Sequence, residues 1–158
     1  MQPSLKSVIS EASGAVADIK LKDGDKIVFG KRYLTALSTP GHTNGCMSFV
    51  LDDESMVFTG DALLINGCGR TDFQEGSNST LYNSVVSRLF TLPGNTRVFP
   101  GHDYKGRTCS TIEEQRLNNS RLGGGKTEKE FDEIMKNLKL GLPKMIDIAV
   151  PKNMMCGV

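Results

Sequence analysis

"STPGHTNGCMSFVLDDESMVFTGDALL", residues 38–64, decides the fold. It opens on a Gly/Pro-rich turn holding His42, passes through two strand-like segments, and closes on a second turn holding Asp61. "CMSFVL" and "MVFT" flank "DDES", a run of turn-forming residues, so the two segments read as a hairpin. Side chains alternate in "MSFV", which buries one face. A chain with only two histidines thus sets one of them, and an aspartate nineteen residues later, at the ends of neighbouring strands.

The arrangement recurs downstream, where "FPGHDYKG" puts His102 in a turn directly after the strand-like "RVFP". Three polar residues therefore follow a glycine at a strand end: His42 in "TPGHTNG", Asp61 in "FTGDALL", and His102. The glycine lets the backbone turn sharply, and loops on a rigid scaffold are where functional side chains concentrate. Neutral imidazole and carboxylate together are the ligand set of a non-haem iron or zinc site. Any one of these turns alone reads as a solvated or capping residue; the repetition points to a metal.

Outward from this stretch, "DIKL", "KDGD" and "KIVF" predict a hairpin around Asp23-Gly24, with "RYLTAL" as a further strand after Gly30. In "STLYNSVVSRLF" the period changes: Leu81, Val85 and Leu89 fall on one helical stripe with Val86 and Phe90 beside it, ended by Pro93-Gly94. Ser110 with Glu113, and Thr127 with Glu130, read as capping boxes opening two further helices. The second buries Phe131, Ile134, Met135 and Leu138. "IDIAV", residues 146–150, reads as a last short strand before a polar tail. Strands first, then strands and helices mixed, predict an α+β fold whose helices cover one face of a sheet.

At 158 residues the chain is expected to form one domain spanning 1–158. A net charge of +1 provides no basic face for nucleic acid. No apolar run reaches bilayer length, so no membrane partner is expected. "MQPSLKSVIS" has neither a continuous apolar core nor Arg-rich amphipathic character, so no targeting segment is read from it. Four cysteines, at 46, 68, 109 and 156, form no C-x-x-C pair and suit reduced thiols in an intracellular protein. Cys68 stands between two glycines, where a small residue matters, and Cys156 is a candidate exposed thiol.

Four segments together carry a resemblance to a known family: "TPGHTNGCMSFVL", "FTGDALLINGCGRTDFQEG", "TLPGNTRVFPGHDYKG" and "NLKLGLPKMIDIAVPKNMMCGV". They resemble the persulfide dioxygenase branch of the metallo-β-lactamase superfamily, from about Lys6 to the C-terminus. "GCGRTDFQ" and "HDYKG" distinguish this branch from the glyoxalase II thioesterases. The resemblance implies an αββα sandwich holding one Fe(II) per chain, and oxidation of glutathione persulfide by O₂ to sulfite and glutathione in sulfide catabolism. It matches His42 and Asp61 to two iron ligands, and His102 to a histidine that serves a second metal in two-metal relatives. Arg70, Thr71, Tyr104 and Lys105 match motifs that line the substrate pocket. Asp103 is read as a carboxylate orienting an imidazole, and Tyr104 as a donor to substrate or bound oxygen. An ion pair of Arg70 with Asp72, holding the loop, is the alternative for Arg70. A mitochondrial matrix location follows from the resemblance alone.

The family's third ligand comes from an HxHxDH segment preceding the region that matches Lys6, and this chain contains none. The expectation is therefore the C-terminal part of the sandwich, with the family's N-terminal half absent and a sheet face left open to water. Such a face predicts a homo-oligomer, a borrowed half, or marginal stability. His102 swinging in to complete a triad with His42 and Asp61 is one way to supply the missing ligand. Two other functions stay open: a glyoxalase II-like thioester hydrolase with a dinuclear, zinc-compatible site, and a silent module that associates with a full-length copy.

Overall fold

The computed structural model describes residues 5–141 and 143–155; Cys156 lies outside them. Strands β1 (Val8–Ser10) and β2 (Ile19–Leu21) form a small parallel pair. The main sheet takes β3 (Lys26–Phe29), β4 (Arg32–Ser38), β5 (Met47–Leu51), β6 (Met56–Gly60), β7 (Arg97–Pro100) and β8 (Ser110–Thr111), in that order across the sheet. Three helices accompany it in the core: α1 (Asn78–Ser84), continued by a wider π turn over Val85–Leu89, α2 (Ile112–Asn118) and α3 (Glu128–Lys136). A fourth, α4 (Ile146–Met154), buries none of its residues.

Strand direction is what assembles the site. β4 runs antiparallel to β5 and β5 antiparallel to β6, while β7 is parallel to β6. β4, β6 and β7 therefore share one direction, and their C-terminal ends lie along a single edge of the sheet. The three glycine turns follow those three ends.

The two sheet faces differ. Cross-strand neighbours Val50, Val57 and Val98 point to one face and are almost fully buried. Leu81, Val85, Leu89, Ile112, Phe131 and Met135 close over them in one core cluster. A seven-residue helix is marginal by itself. The apolar stripe holds it, each buried Leu or Val contributing about 1.5–3 kcal/mol of transfer free energy. On the other face Phe49, Phe58 and Phe99 are neighbours across the strands, with the Phe58 and Phe99 rings stacked at 5.4 Å between centroids. Among the described residues nothing buries this row, and Phe58 is 39% exposed.

The β5–β6 hairpin, the stripe of α1 and the capping box of Thr127 and Glu130 stand as the sequence predicts. Three expectations are corrected. The Asp23-Gly24 turn does not close a hairpin: β2 pairs with β1, and the hairpin partner of β3 is β4, across Gly30 and Lys31. The Asp23 carboxylate accepts from the Ser38 amide and from Arg88, and Asp25 pairs with Ala36. The turn is thus fastened to β4 and steers β3 onto it. Helix α2 is capped by Thr111, whose hydroxyl accepts from the Glu114 amide at 3.1 Å, while the Ser110 hydroxyl is engaged by the side chains of Glu114 and Gln115. "IDIAV" lies in helix α4. Alternation over five residues fits either period, and the amides of Ile148 and Ala149 both donate to the Met145 carbonyl, winding the segment into a helical turn.

Candidate metal centre

Gly41, before His42, has φ +129, and a Cβ there would stand 2.3 Å from the backbone of Leu81. Only glycine allows this turn to press onto α1, where Ser84 Oγ donates to the Pro40 carbonyl at 2.8 Å and the Ser77 amide to Gly41. The His42 imidazole is consequently held in place. Its Nδ1 lies 2.5 Å from the Arg70 carbonyl oxygen, which can only accept, so Nδ1 carries the proton and donates. Nε2, the nitrogen left for a metal, faces Asp61 Oδ2 at 3.5 Å. Two ligands each about 2.0–2.2 Å from one cation have this kind of separation. The donor set, one imidazole beside one carboxylate with each about one-fifth exposed, fits a transition metal ion.

His102 takes a different place. Its Nδ1 approaches both oxygens of Asp61, at 2.6 and 2.9 Å, and its ring is well exposed. Its Nδ1 is thus taken up by the Asp61 carboxylate. Among the described residues no three His, Cys, Asp or Glu side chains are grouped to hold a metal ion, so the in-chain triad of His42, Asp61 and His102 is not assembled.

These groups open onto a cleft of about 540 Å³, within the range that takes a small molecule. Its wall brings together Arg70, Tyr104, Lys105, Arg107 and Arg121. Arg70 is engaged on every side: Nε and Nη2 donate to Asp72 at 2.6 and 2.7 Å, and Nη1 to the Gly141 carbonyl. The Arg70 guanidinium beside Asp72 holds that carboxyl below its ordinary range. The ion-pair alternative is the one realised. Thr71 faces a neighbouring cleft of about 350 Å³ and donates to Asn78 Oδ1, away from His42. Tyr104 is 85% exposed and its ring lies parallel to that of His102.

Asp103 does not orient an imidazole, which corrects the sequence expectation. Its carboxylate accepts from Arg107 Nε and Nη2 and from the amides of Lys105 and Arg107. Arg107 above all drives its pKa down to about 2. The i,i+4 spacing of Asp103 and Arg107 was the available signal for that pair. Arg121 had none, since it reaches the cleft from the turn after α2. Among the described residues Arg121 and Lys105 line the cleft without an acidic partner in any salt bridge. Cys68 is buried, and burial pushes its thiol up to about 11, so it stays protonated at neutral pH. Cys46, Cys68 and Cys109 are free thiols.

Comparison with known proteins is consistent with this geometry. A family model described as the metallo-beta-lactamase superfamily matches residues 3–102. The mitochondrial persulfide dioxygenase ETHE1 of Mus musculus is 56% identical over 156 residues, covering 99% of this chain and 61% of the mouse protein. The crystal structure of ETHE1 from Myxococcus xanthus superposes with a TM-score of 0.91 at 48% identity, over 96% of this chain and 66% of that one. A hydroxyacylglutathione hydrolase of Brucella ovis is 36% identical over 139 residues, covering 86% of this chain and 51% of the hydrolase. The chain thus spans about three-fifths of the length of the mouse relative.

Proposed function

The chain belongs to the metallo-β-lactamase superfamily, and from that premise we propose that it serves a persulfide dioxygenase reaction, oxidising glutathione persulfide with O₂ to sulfite and glutathione. The observation that carries the reading is the pairing of His42 Nε2 with Asp61 Oδ2, with the imidazole proton fixed on the far side by the Arg70 carbonyl. His42 and Asp61 are the two side chains that would hold a single Fe(II). When bound, such an ion supplies one-electron chemistry toward O₂ and an attachment point for a sulfur anion. The greater identity to the persulfide dioxygenase than to the hydroxyacylglutathione hydrolase favours oxidation over thioester hydrolysis.

The remaining roles fall to the chain's own groups. Asp61, braced by His102, keeps its carboxylate aimed at His42. Lys105 and Arg121 offer cationic partners for the carboxylates of a glutathione-like substrate, and Arg121 adds the planar fork that grips such a group. Tyr104 presents a phenol at the rim, available to donate to substrate. Arg70 acts through its backbone carbonyl and its clamp on Asp72. The mouse relative is named as mitochondrial, and a matrix location for this chain is part of the same proposal.

Oxygen uptake by the iron-loaded protein tests the reading. Glutathione persulfide is expected to drive O₂ consumption and sulfite release, with lactoyl-glutathione left unhydrolysed. Lys105→Gln is expected to raise KM for the persulfide about 10-fold at little cost in kcat, the pattern of a lost charged hydrogen bond to the bound substrate. Thioester hydrolysis without oxygen uptake would overturn the proposal in favour of the hydrolase.

A further inference from the structure

Helix α2 and the turn after it carry two buried amides with no part in the chemistry above: Gln115 is fully buried and Asn119 is 1% exposed. Polar groups at such depth cost free energy unless they are hydrogen-bonded; Asn119 Oδ1 accepts from the Arg121 and Leu122 amides and Gln115 Nε2 donates to Ser110 Oγ, while the other half of each amide bonds to one segment, Leu63–Cys68. Asn119 Nδ2 donates to the Gly67 carbonyl at 3.0 Å, to Gln115 Oε1 at 2.9 Å, and in a longer shared contact to Leu64 at 3.3 Å. Gln115 Oε1 accepts from the Asn66 amide at 2.8 Å. Ser120 Oγ donates to the Asn66 carbonyl and Arg121 Nη1 to that of Cys68. With Thr59 on Leu63 and Arg107 on Ile65, every carbonyl from 63 to 68 accepts from a side chain outside the segment. Within the loop only Leu64 and Gly67 exchange backbone bonds.

The loop so held connects the two candidate ligands. It leaves from Asp61 and returns to it, the Gly69 amide donating to the Asp61 carbonyl at 2.6 Å. One residue further, the Arg70 carbonyl fixes His42 Nδ1. A Cβ at Gly69 would lie 2.7 Å from the His42 ring, so loop and imidazole are already in full contact.

We propose that Asn119, together with Gln115, is a positioning residue for the metal centre: the two amides hold the 63–68 loop so that the Arg70 carbonyl fixes the tautomer and orientation of His42. This rests on His42 being a metal ligand but not on the oxidation of persulfide. Without the amides the loop loses its buried holds at Leu64, Asn66 N–H and Gly67, and the Arg70 carbonyl can draw off Nδ1. The tautomer protonated at Nε2 then becomes accessible, and it has no lone pair to offer beside Asp61.

The test compares Asn119→Leu, which removes the donors at similar volume, with Ile112→Val, a core truncation on the same helix. Two readouts are taken on the full chain: the His42 tautomer from side-chain ¹⁵N shifts without metal, and the affinity for Co(II). Wild type and Ile112→Val are expected to keep the proton on Nδ1 and to bind Co(II) alike. Asn119→Leu is expected to show mixed tautomers and to bind about 10-fold more weakly, the loss typical of partners that orient a ligand. Should Asn119→Leu fail to fold, Gln115→Met removes the acceptor of the Asn66 amide and of Asn119 Nδ2 at similar volume and is expected to move both readouts in the same direction. A wild-type His42 protonated on Nε2 overturns the proposal. So does a folded Asn119→Leu chain, or in its place Gln115→Met, that retains the wild-type tautomer and affinity. Neither readout involves oxygen or a persulfide, so a failure here is separate from a failure of the dioxygenase reading.

Discussion

The chain contains the same three letters, Pro-Gly-His, twice, and the two turns have little else in common. At residues 40–42 the turn is wedged against α1, and both ring nitrogens of His42 have an assigned neighbour, Arg70 at one and Asp61 at the other. At residues 100–102 the turn stands in solvent, and the His102 side chain is 59% exposed beside an almost bare Tyr104. A histidine becomes a ligand when its surroundings fix the tautomer and leave one nitrogen free toward another donor. The contacts of His42 match that arrangement, on which its proposed role rests, whereas His102 uses its Nδ1 on the carboxylate that His42 faces. The difference lies in the residues that pack on each turn, not in the motif.

The sharpest way to break this comparison is to remove each imidazole. His42→Ala is expected to abolish measurable binding of Fe(II) or Co(II). His102→Ala is expected to weaken it only about 10-fold, as for loss of a group that orients a ligand. Metal titration of the two variants decides between the roles. Equal losses would make His102 a ligand and reinstate the triad within this chain.

A smaller effect separates the two turns by their glycines. Gly69 lies over the His42 ring, and a methyl there would meet the Asp61 carbonyl at 2.6 Å as well as the imidazole. Gly69→Ala is expected to destabilise by about 1–3 kcal/mol, the usual cost of overpacking, and to weaken metal binding with it. Gly106, beside the His102 turn, has φ +75 and nothing within 4 Å of a Cβ. Gly106→Ala meets only backbone strain, about 1 kcal/mol, and leaves the metal site alone. Chemical denaturation followed by metal titration measures both.

What the sequence made legible follows the same division between local and distant causes. The three strand-end turns, the β5–β6 hairpin, the stripe of Leu81, Val85 and Leu89, and the Thr127 cap are patterns written within a few residues, and each is where the pattern puts it. The partner of β2 was not legible, because Asp23-Gly24 is a good hairpin signal whose carboxylate is claimed by Arg88, 65 residues away. Nor was the engagement of Arg70 by Asp72 and Gly141, which occupies its guanidinium while its backbone carbonyl faces His42. Asn119 and Arg121 carry no motif; they matter because α2 ends beside a loop more than fifty residues earlier in the chain. The segment "IDIAV" failed for a different reason, since five alternating residues suit strand and helix alike and contacts along the chain settled it.

The smallest expected difference between the turns is electrostatic, and it has a direction in pH. Arg107 and two backbone amides stabilise the ionised form of Asp103, whose pKa falls to about 2 from an ordinary 3.8. A carboxylate depressed on folding stabilises the native state fully above the unfolded value, and that contribution fades as pH drops from about 4 toward about 2. Asp103→Asn is therefore expected to be less stable than wild type at pH 7 and to converge with it near pH 2. Denaturant midpoints across this range provide the measurement. Because the clamp belongs to the His102 turn and touches neither His42 nor Arg70, the same substitution is expected to leave the His42 tautomer and Co(II) affinity at neutral pH unchanged. A gap that persists undiminished at pH 2 would mean that Asp103 acts through its shape and not its charge. A loss of His42 order in the variant would show that the two turns are coupled and that the contrast between them is not local.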